Sequence, residues 1–336
     1  AGITGIRHVF AIEPKAGEYQ FAARSSLADV LRKIKSGKIV TYKVSVPEGF
    51  TTWQVLERLK AHEVLTGEIE KVPLEGELLP DTYVFSRGRT RQSIIDQMQA
   101  AQLKLIEKLW PTRASDLPFE TPQQALILAS IVEKETGVAD ERARVAAVFV
   151  NRMRKGMRLQ SDPTIIYGIT KGQGKLERPI YRSDINEKTE YNTYQINGLP
   201  PTPIANAGAE SIKAVLNPIE SDELFFVADG TGGHVFAKTL AEHNENVKKW
   251  RTWLKDRDKE KDEQQADQDQ NQELAAVEEQ ATNTDAPLPA IAGAVEAPTE
   301  TAKPSAVEAD DGKIPTFKFV KVAGRDVPIP KAKPVR

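Results

Sequence analysis

The feature that most constrains the fold is a segment over residues 121–137 that is too apolar to lie on a protein surface. Thr121 and Gln124 form a capping-box pattern, and Pro122 suits the first position of a helix because it lacks an N–H donor. The apolar side chains that follow are Leu126, Ile127, Leu128, Ala129, Ile131 and Val132. The pattern predicts a helix that crosses a core and ends before Gly137, where a positive φ is expected.

Two carboxylates lie at the end of this predicted helix. Glu135 continues the i, i+3, i+4, i+7 stripe that starts at Leu128, whereas Glu133 lies roughly 200° around the helix from that stripe. Burial raises the pKa of a carboxyl group, and the negative end of the helix dipole acts in the same direction. Glu135 is therefore a candidate general acid that stays protonated near neutral pH. The alternative is a pair of solvated glutamates that form ion pairs with Lys134 or Arg142.

Composition excludes several classes of function. The 336 residues allow two compact domains, and 46 Lys and Arg against 48 Asp and Glu give a net charge of −2, so no general attraction to nucleic acid is expected. The absence of cysteine excludes disulfides, thiolate metal ligands and a cysteine nucleophile. The four histidines have no metal-ligand spacing, so we expect neither a metal nor another cofactor. No apolar run reaches the roughly 20 residues that a membrane-spanning helix needs.

Hydrophobic periodicity predicts an α+β fold with small strands in its N-terminal part. Strands are predicted over residues 17–21 and 39–46, the second because apolar and polar side chains alternate. Helices are predicted to begin after Ser26 and after Thr51, and a further strand to end at Phe85. These elements suggest a small α/β unit at the start of the chain.

The second half of the chain is predicted to be mostly helical. An amphipathic helix is expected over residues 90–109 and another from near Asp140. A hairpin is expected over residues 224–236, and a capped helix from Thr239 to about Lys255. Beyond this helix the chain is rich in Asp, Glu, Gln, Lys, Ala and Pro and contains no Trp or Tyr, which predicts disorder.

Two polar loops are candidate sugar-binding segments. Residues 151–167 bring amides, hydroxyls and an aromatic ring to one bend, and these groups suit the hydroxyl and acetamido groups of a sugar. Taken alone, a polar turn at Ser161-Asp-Pro163 explains that segment more simply. Residues 191–204 combine two tyrosines with prolines that reduce the entropy cost of ordering a loop. Burying such polar side chains for packing alone is costly, so this loop is predicted to line a cleft rather than to fill a core edge.

Eight short motifs occur in one order and together resemble the YceG-like endolytic murein transglycosylases (MltG). They are Val46-Pro-Glu-Gly49, Leu79-Pro-Asp-Thr-Tyr83, Leu128-Ala-Ser-Ile-Val-Glu-Lys-Glu-Thr136, Val148-Phe-Val-Asn-Arg-Met153, Met157-Arg-Leu-Gln-Ser-Asp-Pro-Thr164, Tyr191-Asn-Thr-Tyr194, Gly198-Leu-Pro-Pro201 and Phe226-Val-Ala-Asp229. The resemblance covers about Gly17 to Lys255. It departs from the family pattern at Asn206-Ala-Gly208, where the family has Asn-Pro-Gly.

The resemblance implies a four-part chain. An N-terminal α/β segment over residues 1–39 would follow a membrane anchor that is absent from this sequence. A LysM-like glycan-binding subdomain would cover residues 40–90, a lysozyme-like catalytic domain residues 91–255, and a disordered tail residues 256–336. A single span would hold the protein in the bacterial inner membrane with its catalytic region in the periplasm. Peptidoglycan synthases (penicillin-binding proteins) are expected partners by analogy.

The resemblance also implies a reaction. The enzyme would cleave the β-1,4 bond between N-acetylmuramic acid and N-acetylglucosamine in nascent glycan strands, leave 1,6-anhydro ends and so terminate elongation. We assign the family's essential glutamate to Glu135, because related transglycosylases follow the acid with Ser or Thr, as Thr136 does here; Glu133 is the reserve. One residue suffices because the 6-hydroxyl of the muramic acid replaces water as the attacking group.

Further site residues and two rival functions complete the expectations. The residues expected to position the glycan or to orient Glu135 are Asn151, Gln160, Tyr191, Asn192 and Tyr194. The first rival is a hydrolytic muramidase that uses water and has Asp162 or Asp184 as its second carboxylate. The second rival is a non-catalytic scaffold that binds peptidoglycan.

Overall fold

The computed structural model describes residues 15–281 and the two short strands β5 (Val320–Val322) and β6 (Arg325–Val327). Helices dominate this part of the chain, and each of its sheets consists of two antiparallel strands. The predicted α+β class is therefore confirmed. Among the described residues, no helix combines the length and the apolar character needed to cross a bilayer.

The N-terminal part places two helices around one small sheet. Its elements are α1 (Leu27–Lys35), β1 (Tyr42–Ser45), α2 (Thr52–Lys60) and β2 (Thr82–Phe85). Ser26 and Thr51 cap the two helices with complete capping boxes, as predicted. The strand predicted over residues 17–21 is wrong, because only one backbone hydrogen bond, from Val40 N to Glu18 O, links this segment to the predicted strand that begins at residue 39.

The long helix α3 (Arg91–Leu109) connects two hydrophobic cores. Ile94 and Met98, near its start, are fully buried in a first core together with β1, α2 and β2. Ile106, near its end, is buried in a second core that surrounds the following helices. The two parts of the molecule are therefore joined by a continuous helix as well as by side-chain contacts.

The second core is built around the apolar segment from which the sequence analysis started. The helices are α4 (Pro122–Glu135), α5 (Arg142–Arg154), α6 (Asp162–Thr170), α7 (Arg182–Asn186) and α8 (Ala209–Leu216). Helix α4 packs against α5, α6 and α8, which explains why apolar side chains occur around its whole circumference. The capping box of Thr121 and Gln124 is present. The prediction for Gly137 is wrong, since the helix ends where Thr136 becomes extended (φ −133°, ψ 134°) rather than at a glycine with positive φ.

A hairpin and a long helix follow. Strands β3 (Phe225–Ala228) and β4 (His234–Ala237) pair antiparallel around the predicted glycine-rich turn. The next helix, α9 (Leu240–Ala281), packs Val247 and Trp250 against Val227. Its predicted end near Lys255 is wrong, because it continues to Ala281. The rest of the predicted tail lies outside the described residues, apart from β5 and β6.

Asn206 joins the two cores. It is fully buried, its backbone N–H donates to Phe50 O (2.8 Å), and its backbone oxygen accepts from Gly49 N (3.0 Å). Its side-chain oxygen accepts from Leu78 N (3.0 Å), and its amide nitrogen donates to Glu75 Oε1 (3.2 Å). The loop that lacks the family proline at position 207 is thus held by hydrogen bonds to the N-terminal part.

Candidate active site

Glu135 lies at the C-terminal end of α4 and is only 8% exposed. Burial raises the pKa of its carboxyl group to about 7. Ser161 and Arg152 favour the charged form, whereas the negative charge of Asp162 opposes it. The predicted burial of Glu135 is therefore confirmed, and the shift of its pKa has the expected direction. A carboxyl group with this pKa can both donate and accept a proton near neutral pH.

Arg152 supplies a fixed positive charge near Glu135. This side chain is buried, its Nε donates to Leu224 O (2.6 Å), and its Nη1 donates to Leu159 O (2.5 Å). Burial lowers its pKa to about 10, so the guanidinium remains charged at neutral pH. Arg152 is not among the predicted site residues.

The signal for Arg152 was nevertheless present in the sequence. Val145, Val148, Phe149 and Arg152 follow the spacing i, i+3, i+4, i+7 on α5, and all four are buried. The helical spacing that places Glu135 on a buried stripe of α4 therefore also places Arg152 on a buried stripe of α5. Both stripes face the core that α4 and α5 share.

Asp162 and Tyr194 form a buried pair beside Glu135. The Tyr194 hydroxyl donates to Asp162 Oδ1 at 2.7 Å. Burial, followed by the charge of Asp162, keeps the pKa of Tyr194 well above its ordinary value, so the phenol remains neutral and keeps its proton. The hydrogen bond from Tyr194 therefore helps to hold the Asp162 carboxylate near Glu135.

Ser161 offers an unused hydroxyl at the same place. Its side-chain oxygen is buried and has no hydrogen-bond partner of ordinary geometry among the described residues. The hydroxyl lies near enough to Glu135 to favour the charged carboxylate, but the contact is not a well-formed hydrogen bond. Unpaired buried polar groups are rare, so this oxygen is a candidate contact for a ligand.

Thr193 holds the Ser161 segment in place. Its hydroxyl accepts from Ser161 N (2.9 Å) and lies 2.9 Å from Thr164 Oγ1, while its backbone oxygen accepts from Gln160 N (3.1 Å). Gln160 adopts a positive φ of 53°, which is uncommon for a residue with a side chain. The side chain of Gln160 is partly exposed and has no hydrogen-bond partner among the described residues.

Asn192 organises its own loop. It is 1% exposed, and its amide nitrogen contacts the backbone oxygens of Asp184 (2.9 Å), Ile185 (3.1 Å) and Glu187 (2.6 Å). Its side-chain oxygen accepts from Tyr194 N (3.0 Å). All these partners are backbone groups, so this side chain orients Tyr194; direct contact of Asn192 with a glycan stays a prediction.

Tyr191 is only 7% exposed and forms an aromatic pair with Tyr167 at the second core, so its place on a cleft wall stays a prediction. Its ring centre lies 5.0 Å from that of Tyr167, and Lys171 Nζ lies 4.7 Å from the Tyr191 ring centre. Its hydroxyl shares a 2.8 Å hydrogen bond with Thr202. Tyr167 donates to Glu75 Oε2 (3.2 Å), which connects the pair to the N-terminal part.

Asn151 contacts a different region. Its amide nitrogen donates to the backbone oxygens of Ser221 (2.5 Å) and Glu223 (3.2 Å), just before β3. Its side-chain oxygen accepts from Arg154 (3.1 Å). The recorded contacts of Asn151 therefore hold the hairpin to α5, and a role in substrate binding stays a prediction.

Glu133 is as buried as Glu135, at 8% exposure. Its Oε2 accepts from Ser211 Oγ (2.7 Å) and from Gly208 N (3.1 Å), so it anchors α8 and the loop before it. The periodicity argument that set Glu133 apart from the buried stripe is therefore wrong about its burial. The alternative of two solvated glutamates is also wrong, and the carboxylate recorded as the ion-pair partner of Arg142 is Glu48.

The two candidates for a second carboxylate differ in their surroundings. The Asp184 carboxylate accepts hydrogen bonds from both terminal nitrogens of Arg178 (2.6 and 2.9 Å) and from Tyr181 N. These hydrogen bonds stabilise the start of α7. Asp162 lies near Glu135, as its effect on the pKa of Glu135 shows. Within the described part of the chain, no group of three or more His, Asp or Glu side chains is arranged to hold a metal ion.

Comparison with known proteins finds relatives that are named endolytic murein transglycosylases. The endolytic murein transglycosylase of Bacillus subtilis (strain 168) is 38% identical over 182 residues, which cover 54% of this chain and 49% of that protein. The endolytic murein transglycosylase of Streptococcus pneumoniae (strain D39) is 31% identical over 282 residues, which cover 69% of this chain and 50% of that protein. The chain thus spans about half the length of these curated relatives.

A solved structure and a family model give the final comparison. A crystal structure of a YceG-like protein from Listeria monocytogenes is similar with a TM-score of 0.49 and 31% identity, over 72% of this chain and 88% of that one. The model of the YceG-like family matches residues 6–249. The family inferred from the eight sequence motifs is therefore confirmed: this chain belongs to the YceG-like family.

Proposed function

We propose that this chain is a lytic transglycosylase that cleaves peptidoglycan glycan strands internally, with Glu135 as its acid and base. The observation that carries the proposal is a buried carboxyl group whose pKa is raised to about 7 at the end of a core helix. Relatives at 38% and 31% identity are named endolytic murein transglycosylases, which supports the same reaction.

The proposed reaction needs one proton-transferring residue. Protonated Glu135 donates its proton to the glycosidic oxygen as the bond from that oxygen to the anomeric carbon of N-acetylmuramic acid breaks. The resulting carboxylate then accepts the proton of the 6-hydroxyl, whose oxygen bonds to the anomeric carbon. The products are a 1,6-anhydromuramyl end and a free 4-hydroxyl on N-acetylglucosamine. Glu135 ends the cycle protonated, and no water is consumed.

Neighbouring charges have separate tasks in this scheme. Asp162, held by Tyr194, provides negative charge near the positive charge that develops at the anomeric carbon, and electrostatic stabilisation of this kind is a large part of catalysis. Arg152 stabilises the Glu135 carboxylate that forms after the first proton transfer. The site thus has groups suited to both protonation states of Glu135.

The predicted substrate residues take different roles within this proposal. Gln160 and Tyr191 contact the glycan, and the unpaired hydroxyl of Ser161 binds a sugar hydroxyl or acetamido group. Asn192 and Tyr194 act by positioning Asp162, while Asn151 supports the hairpin. Positioning of this type can account for several kcal/mol of a reaction barrier.

We propose the domain division on the same basis. The antiparallel pair of β1 and β2 with α2 between them supports a LysM-like subdomain over residues 40–90. Residues 91–255 would form the lysozyme-like catalytic domain, residues 1–39 a leading α/β segment, and residues 256–336 a tail. By family analogy, the protein would act in the periplasm from an inner-membrane anchor, terminate glycan elongation and work with peptidoglycan synthases.

The direct test compares two isosteric substitutions two residues apart. Glu135→Gln should lower the cleavage rate of purified peptidoglycan at least a hundredfold, because general acid–base catalysis contributes about 10²–10⁴ in rate. Glu133→Gln makes the same isosteric change on the same helix, and its amide oxygen still accepts from Ser211, so it should retain most of the activity. Mass spectrometry of the wild-type products should show 1,6-anhydro ends.

Each rival function has its own outcome in this experiment. Reducing ends instead of anhydro ends would identify a hydrolytic muramidase, with Asp162 as the candidate second carboxylate. Full activity of Glu135→Gln, or no cleavage by the folded wild-type protein, would favour a scaffold that binds glycan without cutting it. Loss in Glu133→Gln but not in Glu135→Gln would exchange the roles of the two acids.

A further inference from the structure

Arg142, at the start of α5, is a buried cation whose Nε lacks a hydrogen-bond partner among the described residues. Its side chain is 9% exposed, and its recorded ion-pair partner is Glu48, whose Oε2 lies 4.0 Å from Arg142 Nη2. Its Nε is fully buried and has no hydrogen-bond partner among the described residues. A guanidinium has five N–H donors, and leaving them unpaired in a protein interior is costly. Two nitrogens of Arg152, by contrast, donate to backbone oxygens. Arg142 therefore has N–H donors that are free to bind a ligand.

Contacts through Glu48 and Gly208 connect Arg142 to the C-terminal end of α4. Its partner Glu48 packs so closely on Gly208 that a Cβ at position 208 would lie 1.8 Å from Glu48 Oε1. Gly208 N in turn donates to Glu133 (3.1 Å), two residues before Glu135. The exposed side chain of Lys134 donates to Gly49 O (3.3 Å), and Gly49 directly follows Glu48 in the sequence. Two cations therefore border one surface next to the proposed acid.

We propose that Arg142 binds a carboxylate on the muramyl units of peptidoglycan, and that this carboxylate belongs to the stem peptide. The inference rests on the proposed function, because it assumes a glycan substrate at Glu135. The planar fork of a guanidinium matches a carboxylate through two parallel hydrogen bonds. Glu48 is the ion-pair partner of Arg142, with 4.0 Å between Oε2 and Nη2.

The position of Arg142 favours the peptide over the sugar. Arg142 and Arg152 are ten residues apart on one helix, which is about 15 Å along its axis. Arg152 interacts with Glu135, so Arg142 lies at the opposite end of α5 from one of the charged groups beside the cleaved bond. A peptide that branches from the muramic acid spans such a distance, whereas the lactyl carboxylate exposed by removing that peptide stays close to the ring.

The test measures binding, so that it does not depend on cleavage. All proteins carry Glu135→Gln, and titration calorimetry gives the Kd of three tetrasaccharides. The first contains N-acetylmuramic acid with its stem peptide, and the second contains N-acetylmuramic acid with a free lactyl carboxylate in place of the peptide. The third consists of N-acetylglucosamine only. Arg142→Gln should weaken binding of the first about tenfold and leave the third within twofold. Arg144→Gln is the matched control, because it removes the same charge from the same helix at a residue paired with Glu223.

The outcomes separate the possible sources of the carboxylate. A loss confined to the peptide-free tetrasaccharide would overturn the stem-peptide assignment in favour of the lactyl group. Equal effects of Arg142→Gln on all three ligands, or none on any, would overturn carboxylate recognition altogether. Arg142→Lys provides a second variant if the glutamine variant does not fold; it keeps the charge without the fork and should lose part of the affinity. Failure of the proposed reaction would show separately, as absence of anhydro products from the wild-type chain.

Discussion

Glu133 and Glu135 are equally buried but differ in what surrounds their oxygens. Glu133 accepts from a hydroxyl and a backbone N–H, which compensate its carboxylate. Glu135 has a poorly formed contact with Ser161 and a nearby negative charge from Asp162, and burial dominates its pKa. The hydrogen-bond partners of the side-chain oxygens, rather than burial alone, therefore separate a structural glutamate from a candidate acid.

At the residue scale, the pH dependence of cleavage should follow Glu135. The acid must be protonated before the bond breaks, so kcat/KM should fall about tenfold per pH unit above a pH near 7. Asp162→Asn removes a negative charge that raises the pKa of Glu135, so the falling limb should move to lower pH. Rate–pH profiles of the two proteins measure the shift, and a limb that stays in place or moves to higher pH would contradict the assigned electrostatics.

At the element scale, the site depends on a contact between two short segments, one at the N-terminal end of α6 and one in the loop over residues 191–194. Residues 160–164 carry Ser161 and Asp162, and residues 191–194 carry Tyr194 and the Thr193 hydroxyl that joins the two segments. Neither segment has a hydrophobic periodicity of its own. Their hydrogen bonds to each other fix the side chains near Glu135.

Thr193→Val should show how much this contact contributes. The substitution keeps the shape of the side chain but leaves Ser161 N without its acceptor, so the free energy of unfolding should fall by about 2 kcal/mol. Chemical denaturation followed by circular dichroism measures the change. Thr193→Ser keeps the hydroxyl and should lose less, although it also removes a buried methyl group. A valine variant as stable as the wild type would show that the two segments are fixed by packing instead.

The elements that sequence predicts well are those whose signals are local. The caps at Ser26, Thr51 and Thr121 use partners three residues away, and each of these helices begins where the pattern places it. The partners of Glu133 come from residues 75 and 78 positions further along the chain, so no local pattern shows that it is buried. The helix end at Thr136 was mispredicted for a similar reason, because a glycine permits a positive φ but does not require one.

Some residues of the candidate site could be predicted from local sequence patterns, but the roles of others could not. Glu135 follows a helical stripe, and Arg152 follows an equivalent stripe that was not used. The polar residues of the two loops could be selected as a group, but their tasks could not be separated. Asn192 shows why, since its amide binds backbone oxygens that only the folded chain brings together.

At the scale of the whole molecule, two cores meet at a polar joint close to the site. Asn206 binds backbone groups of the N-terminal part, and Glu75 accepts from Thr52, Asn206 and Tyr167. Burial is the largest cause of the raised pKa of Glu75. The arrangement makes the position of the N-terminal part relative to α4 depend on a few buried hydrogen bonds.

Asn206→Ala should therefore weaken the joint without touching Glu135. Several buried donors and acceptors lose their partner, so the free energy of unfolding should fall by roughly 3 kcal/mol. Cleavage should fall as well, because the N-terminal part no longer holds its place beside the site. Asn217→Ala, at an exposed asparagine just after α8, is the control and should change neither quantity measurably. An Asn206 variant with unchanged stability and activity would show that the helix α3 alone joins the two parts.

The central claim is that Glu135 carries a proton near neutral pH, and an NMR titration tests it directly. The side-chain carboxyl carbons of glutamate would be labelled with ¹³C, and the Glu135 signal assigned by its absence from the Glu135→Gln spectrum. The account predicts a titration midpoint of about 7 for this signal. A midpoint at or below the ordinary value of 4.5 would contradict it, because the carboxyl group would then be ionised when it is required to donate its proton.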